Sequence, residues 1–121
     1  MRIRVLIVDD ALFMRNMIKE VFSGNEFEVV GEAGNGVEAV ERYRSLRPDI
    51  TTMDIVMPQK SGIEAVREIV KLNKDAKIIM CSALGQESLV MEAIEAGAAD
   101  FIVKPFKPEK VLEVVRKVVS L

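Results

Sequence analysis

Five short apolar runs alternate with five longer segments of helical period, and this alternation limits the fold more than any other feature of the chain. The runs are Val5–Val8, Glu28–Gly31 with Val29 and Val30 at its centre, Ile50–Met53, Lys77–Cys81 and Phe101–Val103. The helical segments lie near 12–23, 36–47, 62–72, 87–96 and 107–120. In the second, Val37, Val40 and Tyr43 recur every three residues, with Ala39 and Leu46 widening the stripe. Ile63, Val66, Ile69 and Val70 form the apolar face of the third, and Val111, Val114, Val115 and Val118 that of the last. Gly97 reads as a C-cap that ends the fourth. Such alternation predicts βαβ units, and so a parallel sheet with helices on both faces: an α/β, three-layer, doubly wound (βα)5 domain. The first and fourth runs are almost wholly apolar, as interior parallel strands are. Periodicity leaves the strand order open.

The polar residues that end these runs point to chemistry. The first run stops at adjacent Asp9 and Asp10, the third at Asp54, the fourth at Ser82 and the fifth at Lys104. In open α/β sheets the ligand crevice lies outside the carboxyl ends of the strands. Ordinary polar loops would place Gly, Asn and Ser there, rather than three aspartates, a serine and a lysine. Three carboxylates in one crevice repel and call for a cation. An oxygen-only cluster suits a hard ion, Mg²⁺ with Mn²⁺ as the alternative, sharing its coordination with water and a phosphate oxygen. Lys104 adds a compact positive charge and Ser82 a hydroxyl donor. Together these groups describe a phosphoryl site. An aspartate carboxylate can accept a phosphoryl group as an acyl phosphate. The lone Asp54 is the better candidate nucleophile and the Asp9–Asp10 pair the better metal holder. The turn after Asp54 carries Pro58 and Gly62 before the third helix, and Lys104 is followed by Pro105.

Composition closes off other classes. The 121 residues carry no linker or repeat, which predicts one domain spanning 1–121. A net charge of −2 predicts no general affinity for nucleic acid or anionic lipid, and no apolar run approaches a membrane span. The single Cys81 cannot form an internal disulfide, which favours a reducing, cytoplasmic location, and the thiol itself reads as a small buried hydrophobe. The absence of histidine removes catalytic triads.

The stretches "LIVDD", "MDIVMP", "CSALG" and "DFIVKPF" resemble the receiver domain of two-component response regulators. The resemblance runs in order from Arg4 to Val119 and is nearest to the stand-alone receivers of chemotaxis. It implies a flavodoxin-like sheet of order 2-1-3-4-5, the documented order of the family's chemotaxis members. It also implies that Asp54 is the phosphoacceptor and that Asp9 and Asp10 hold Mg²⁺ with Asp54 and the backbone carbonyl of Val56. Ser82 takes the switch hydroxyl position, Phe101 the switch aromatic and Lys104 the motif lysine, with a cis Lys104–Pro105 bond. Ala83 is small, as access to a phosphoryl group requires. The implied phosphoryl donor is a histidine kinase. The implied output partner is a flagellar motor switch protein, with a phosphatase as a further partner and a monomer as the working form.

Two positions depart from the pattern best known in chemotaxis receivers. Val56 and Leu84 are apolar where amide or acidic side chains often position a water, which predicts slow loss of the phosphoryl group. Phe101 keeps an aromatic body without a hydroxyl. The expected output face is the fourth helix, fifth strand and fifth helix, with Val90, Met91, Phe101 and Val103; a core role for Val103 is equally open. Met14 and Met17, at helical spacing, read as core. No output domain is expected after Leu121, so signalling should pass by protein contact. The rival readings are a phosphorelay intermediate, a receiver cut from a longer regulator, and a Mg²⁺-dependent phosphatase with an aspartate nucleophile. The adjacent aspartates and the lack of room for a cap domain speak against the phosphatase. A flavodoxin-like cofactor carrier lacks support because "DDALFMR" offers no phosphate cradle.

Overall fold

The computed structural model describes residues 1–121. Five parallel strands, β1 (Ile3–Val8), β2 (Phe27–Ala33), β3 (Ile50–Asp54), β4 (Ile78–Ser82) and β5 (Asp100–Val103), alternate with five helices. The helices are α1 (Leu12–Val21), α2 (Gly36–Leu46), α3 (Gly62–Leu72), α4 (Glu87–Ala96) and α5 (Pro108–Val119). The sheet has the order β2-β1-β3-β4-β5 and every pairing is parallel. The fold class and order implied by the sequence are therefore those observed, and strand ends differ by one or two residues.

Two cores follow from the alternation of side chains along the strands. Leu6, Val8, Met53, Ile78 and Met80 face one way and pack with residues of α2, α3 and α4. Val5, Ile7, Ile50, Ile79, Cys81 and Ile102 face the other way and pack with residues of α1 and α5. The middle strand is β3. Its Thr51 and Thr52 are fully buried and their hydroxyls find no partner, so the strand with the least apolar sequence among the interior three holds the centre of the sheet.

Local chemistry places the helix ends. Asn35 caps α2 by accepting the Glu38 N–H at 2.8 Å, and Ser61 with Glu64 forms a reciprocal capping box on α3. Such caps stabilise by roughly 1 kcal/mol each. Pro108 occupies the first turn of α5, where its missing N–H costs nothing. Gly97 ends α4 at φ +125, as its sequence position suggested.

Packing corrects two of the predicted stripes. Val37 is half-exposed, and α2 buries Gly36, Ala39, Val40 and Tyr43 instead. The true stripe mixes spacings of three and four, which a strict three-residue count misses. Met17, expected in the core, is exposed on α1, whose inward face is set by Ile18.

Candidate functional site

The carboxyl ends of β1, β3, β4 and β5 deliver their polar residues to one rim of the sheet. Asp9 follows β1 and is 1% exposed. Its N–H donates to the Ala33 carbonyl at 3.1 Å. Its Oδ1 accepts the Ala11 N–H at 2.9 Å and its Oδ2 accepts Nζ of Lys104 at 3.0 Å. Asp54 ends β3; its Oδ1 lies 3.4 Å from the same ammonium and accepts the Ile55 N–H at 2.9 Å. Asp10 is exposed. One carboxylate oxygen from each of the three aspartates lies within 4.8 Å of the others.

The electrostatics follow from this crowding. Burial and then the Asp9 charge push the Asp54 carboxyl up to about 6, against the opposing pull of Lys104. Burial works against the charge of Lys104, yet the Asp9 hydrogen bond and both carboxylate charges outweigh it and hold the ammonium above the usual lysine range. Burial pushes the nearby Cys81 thiol up to about 12, and the side chain packs in the α1–α5 core rather than among the carboxylates. Three converging carboxylates with no nitrogen or thiolate donor fit Mg²⁺ or Mn²⁺ and do not fit zinc. Val56 lies in the turn after Asp54, and its carbonyl accepts no hydrogen bond from the protein, which leaves it free to serve a cation.

The β3–α3 turn that carries Val56 is tightly held. The Gly62 N–H donates to the Ile55 carbonyl at 2.8 Å, and a Cβ on Gly62 would stand 2.0 Å from the Asp54 carbonyl oxygen. On the other flank, the Gly36 N–H donates to the Lys60 carbonyl at 3.0 Å, where a Cβ would stand 2.3 Å away. Only glycine allows these approaches.

Ser82 reaches the same rim but is turned from it: it is buried, and its hydroxyl donates to the Ile102 carbonyl at 3.3 Å. The Lys104 N–H donates to the Ser82 carbonyl at 2.7 Å, and the Lys104–Pro105 bond is cis, as the resemblance implied. Phe101, Val103 and Met91 are all partly or largely exposed, so Val103 faces outward and is not core. Val90 does not join them as a free surface: it is 6% exposed and packs in the α2–α3–α4 core. It lines a pocket of about 280 Å³ between α4 and β5, with Ala83, Met91, Phe101 and Val103 around it and Ser82 in its wall.

A family model described as "Response regulator receiver domain" matches residues 5–116. The chain belongs to this family. Several relatives of this receiver domain carry the name chemotaxis protein CheY. That of Thermotoga maritima is 60% identical over 115 residues, covering 95% of this chain and 96% of its own. That of Bacillus subtilis is 56% identical over 117 residues, covering 97% and 98%. Among solved structures, the response regulator domain of Thermotoga maritima CheB superposes with a TM-score of 0.93 at 40% identity, over 100% of this chain and 98% of that one. The CheX–CheY–BeF3–Mg²⁺ complex of Borrelia burgdorferi superposes at 0.90 and 41% identity, over 96% and 88%.

Next to the aspartates lie residues that no spacing rule singled out. Arg15 on α1 donates from Nη1 to the Asp9 carbonyl at 2.7 Å and from Nε to Oε1 of Glu32 at 3.1 Å. Glu32 belongs to β2, so the pairing exists only once β2 lies beside β1. Leu12 and Phe13, at the start of α1, are 60% and 72% exposed. They stand just after the aspartate pair, where a helical stripe would have assigned large apolar residues to the core.

Proposed function

We propose that this receiver domain accepts a phosphoryl group on Asp54 from the phosphohistidine of a histidine kinase. In the transfer, the phosphorus–nitrogen bond to the imidazole breaks and a phosphorus–oxygen bond to the Asp54 carboxylate forms, the imidazole keeping the electron pair. The observation that carries this reading is the convergence of Asp9, Asp10 and Asp54 within 4.8 Å, with the Lys104 ammonium in contact with two of them. Mg²⁺ held by the three carboxylates and the Val56 carbonyl would neutralise their repulsion and the charge of the incoming phosphoryl oxygens, the main source of catalysis in such transfers. Asp9, anchored through both carboxylate oxygens, keeps the pocket in shape, and Lys104 stands ready to pair with a phosphoryl oxygen. Exposed Leu12 and Phe13 offer apolar area beside the pocket to the phosphoryl donor.

Output would follow from a competition for the Ser82 hydroxyl. Its bond to the Ile102 carbonyl is long at 3.3 Å, and a phosphoryl oxyanion is a stronger acceptor than a neutral carbonyl. Moving Ser82 toward the phosphoryl group shifts the wall of the α4–β5 pocket and admits Phe101, which is 41% exposed. A local charge change thus biases a two-state element and remodels the face bearing Met91, Phe101 and Val103.

We read this activity as part of chemotaxis, a reading supported by the relatives named CheY. The proposed output partner is a flagellar motor switch protein, and the proposed phosphatase is a protein like the CheX found in complex with the Borrelia burgdorferi CheY. The domain works in this reading as a monomeric cytoplasmic signalling protein rather than a turnover enzyme. No helix is long and apolar enough to cross a membrane. Incubation with acetyl phosphate and Mg²⁺ tests the reading: a single adduct of one phosphoryl mass, absent from Asp54→Asn, supports it. Continuous phosphate release without an adduct would instead mark an enzyme.

A further inference from the structure

We infer that Arg15 is a positioning residue of the divalent-cation site, acting through the peptide that joins Asp9 to Asp10. The inference rests on the reading that these carboxylates hold Mg²⁺. The two side chains hang from adjacent α carbons, so the plane of the one peptide between them sets the directions in which their carboxylates leave the chain. The carbonyl of that peptide is the Asp9 oxygen, and Arg15 is its only donor within the protein, at 2.7 Å. This is the short distance of a charge-assisted bond.

The guanidinium is itself held from the far side. Its Nε donates to Glu32 on β2 at 3.1 Å, and Glu32 is also paired with Lys19 at 2.6 Å. The Lys19 hydrogen bond, opposed by partial burial and aided by Arg15, keeps the Glu32 carboxyl below its ordinary range. Arg15 is 19% exposed, and its planar fork serves the Asp9 carbonyl and Glu32 at once. The β1–α1 turn is thereby tied to β2 by two contacts: the Asp9 N–H on the Ala33 carbonyl, and Arg15 between Asp9 and Glu32. Groups that orient metal ligands without touching the metal typically matter by about 10- to 100-fold in affinity.

Charge alone predicts the opposite of positioning. A guanidinium near three carboxylates competes with an incoming cation, so its removal should tighten Mg²⁺ binding if Arg15 does nothing else. Positioning requires that its removal weaken binding. The measurement is calorimetric titration of the full chain with Mg²⁺ at constant ionic strength, with the metal-free melting temperature recorded in parallel. Arg15→Met is expected to bind Mg²⁺ about 10- to 100-fold more weakly than the parent protein. Arg15→Lys keeps the charge and loses the fork; it is expected to bind more weakly too, and it decides the matter should Arg15→Met not fold. Unchanged or tighter Mg²⁺ binding in a folded variant, even one with a lower melting temperature, overturns the inference and leaves Arg15 a purely structural residue. A parent protein that takes up no Mg²⁺ at all would overturn the cation reading itself, a separate and recognisable result.

Discussion

The ammonium of Lys104 lies 3.0 Å from Oδ2 of Asp9, joining the end of β5 to the end of β1 across the two strands between them. Asp9 is 1% exposed, so this contact, with the Ala11 N–H on its other carboxylate oxygen, offsets part of what it costs to bury its charge. Lys104→Met would strand that carboxylate beside Asp54. The metal-free protein should lose about 1–3 kcal/mol of stability, and saturating Mg²⁺ should restore much of it by replacing the lost positive charge. Urea melts with and without Mg²⁺ would show this, and identical midpoints for parent and variant without metal would mean that the pair contributes nothing.

The pH dependence of the metal-free protein should carry the signature of Asp54. Its folded pKa of about 6 stands above the ordinary value of 3.8. A carboxyl raised on folding favours the folded state while protonated, and that contribution is lost as pH rises through about 6. Metal-free melting temperatures should therefore fall between pH 4 and 7 in the parent relative to Asp54→Asn, which has no proton to lose. Parallel curves for the two proteins would count against the crowding of Asp54 and Asp9. Saturating Mg²⁺ should flatten the difference by pairing with the ionised carboxylate.

Val56 and Leu84 flank the pocket with exposed apolar side chains, 57% and 81% exposed. Neither can orient a water toward an acyl phosphate, so the phosphoryl group should be long-lived. Val56→Asn should shorten the lifetime several-fold while leaving the rate of phosphorylation by acetyl phosphate nearly unchanged, because Val56 would serve the metal through its backbone carbonyl, which the substitution keeps. Phosphate release after removal of donor is the measurement. Rapid loss in the parent protein that Val56→Asn fails to change would refute the idea.

The coupling of Ser82 to Phe101 can be read optically, because the chain contains no tryptophan. Phe101→Trp supplies a single reporter at a 41% exposed position on β5. With beryllofluoride and Mg²⁺ its emission should shift to the blue as the ring enters the α4–β5 pocket. In Ser82→Ala with the same reporter the shift should largely vanish, although the aspartates still bind the complex. A full shift without the hydroxyl would place the trigger elsewhere.

Much of this molecule was readable from the linear chain because its signals are local. Short runs of three to five residues with apolar centres, separated by helical stripes, suffice for a parallel α/β sheet, since each strand must be covered on both faces. Asp9, Asp10, Asp54, Ser82 and Lys104 were legible because residues that end a strand or directly follow it lie at the carboxyl rim of a parallel sheet. The assignments that failed were those set by packing between distant segments. Val37 and Met17 lie on helices whose rotation is decided by Gly36 against Lys60 and by Ile18 under the sheet. Val90 was expected near the output face from the resemblance; packing buries it, so that it forms the floor of the α4–β5 pocket instead of a free surface.

The sequence by itself determined the alternation of elements, the Gly97 cap that ends α4, and the identity of the polar residues at the strand ends. These depend on side-chain period and on contacts within a few residues. Only the tertiary structure decided which carboxylates meet Lys104, that the Ser82 hydroxyl rests on the Ile102 carbonyl, and that Arg15 spans from the Asp9 carbonyl to Glu32. Each of those contacts joins residues from different strands or helices. Their distances follow from the order β2-β1-β3-β4-β5 and from how the helices settle on the sheet, and neither is encoded in any single stretch of chain.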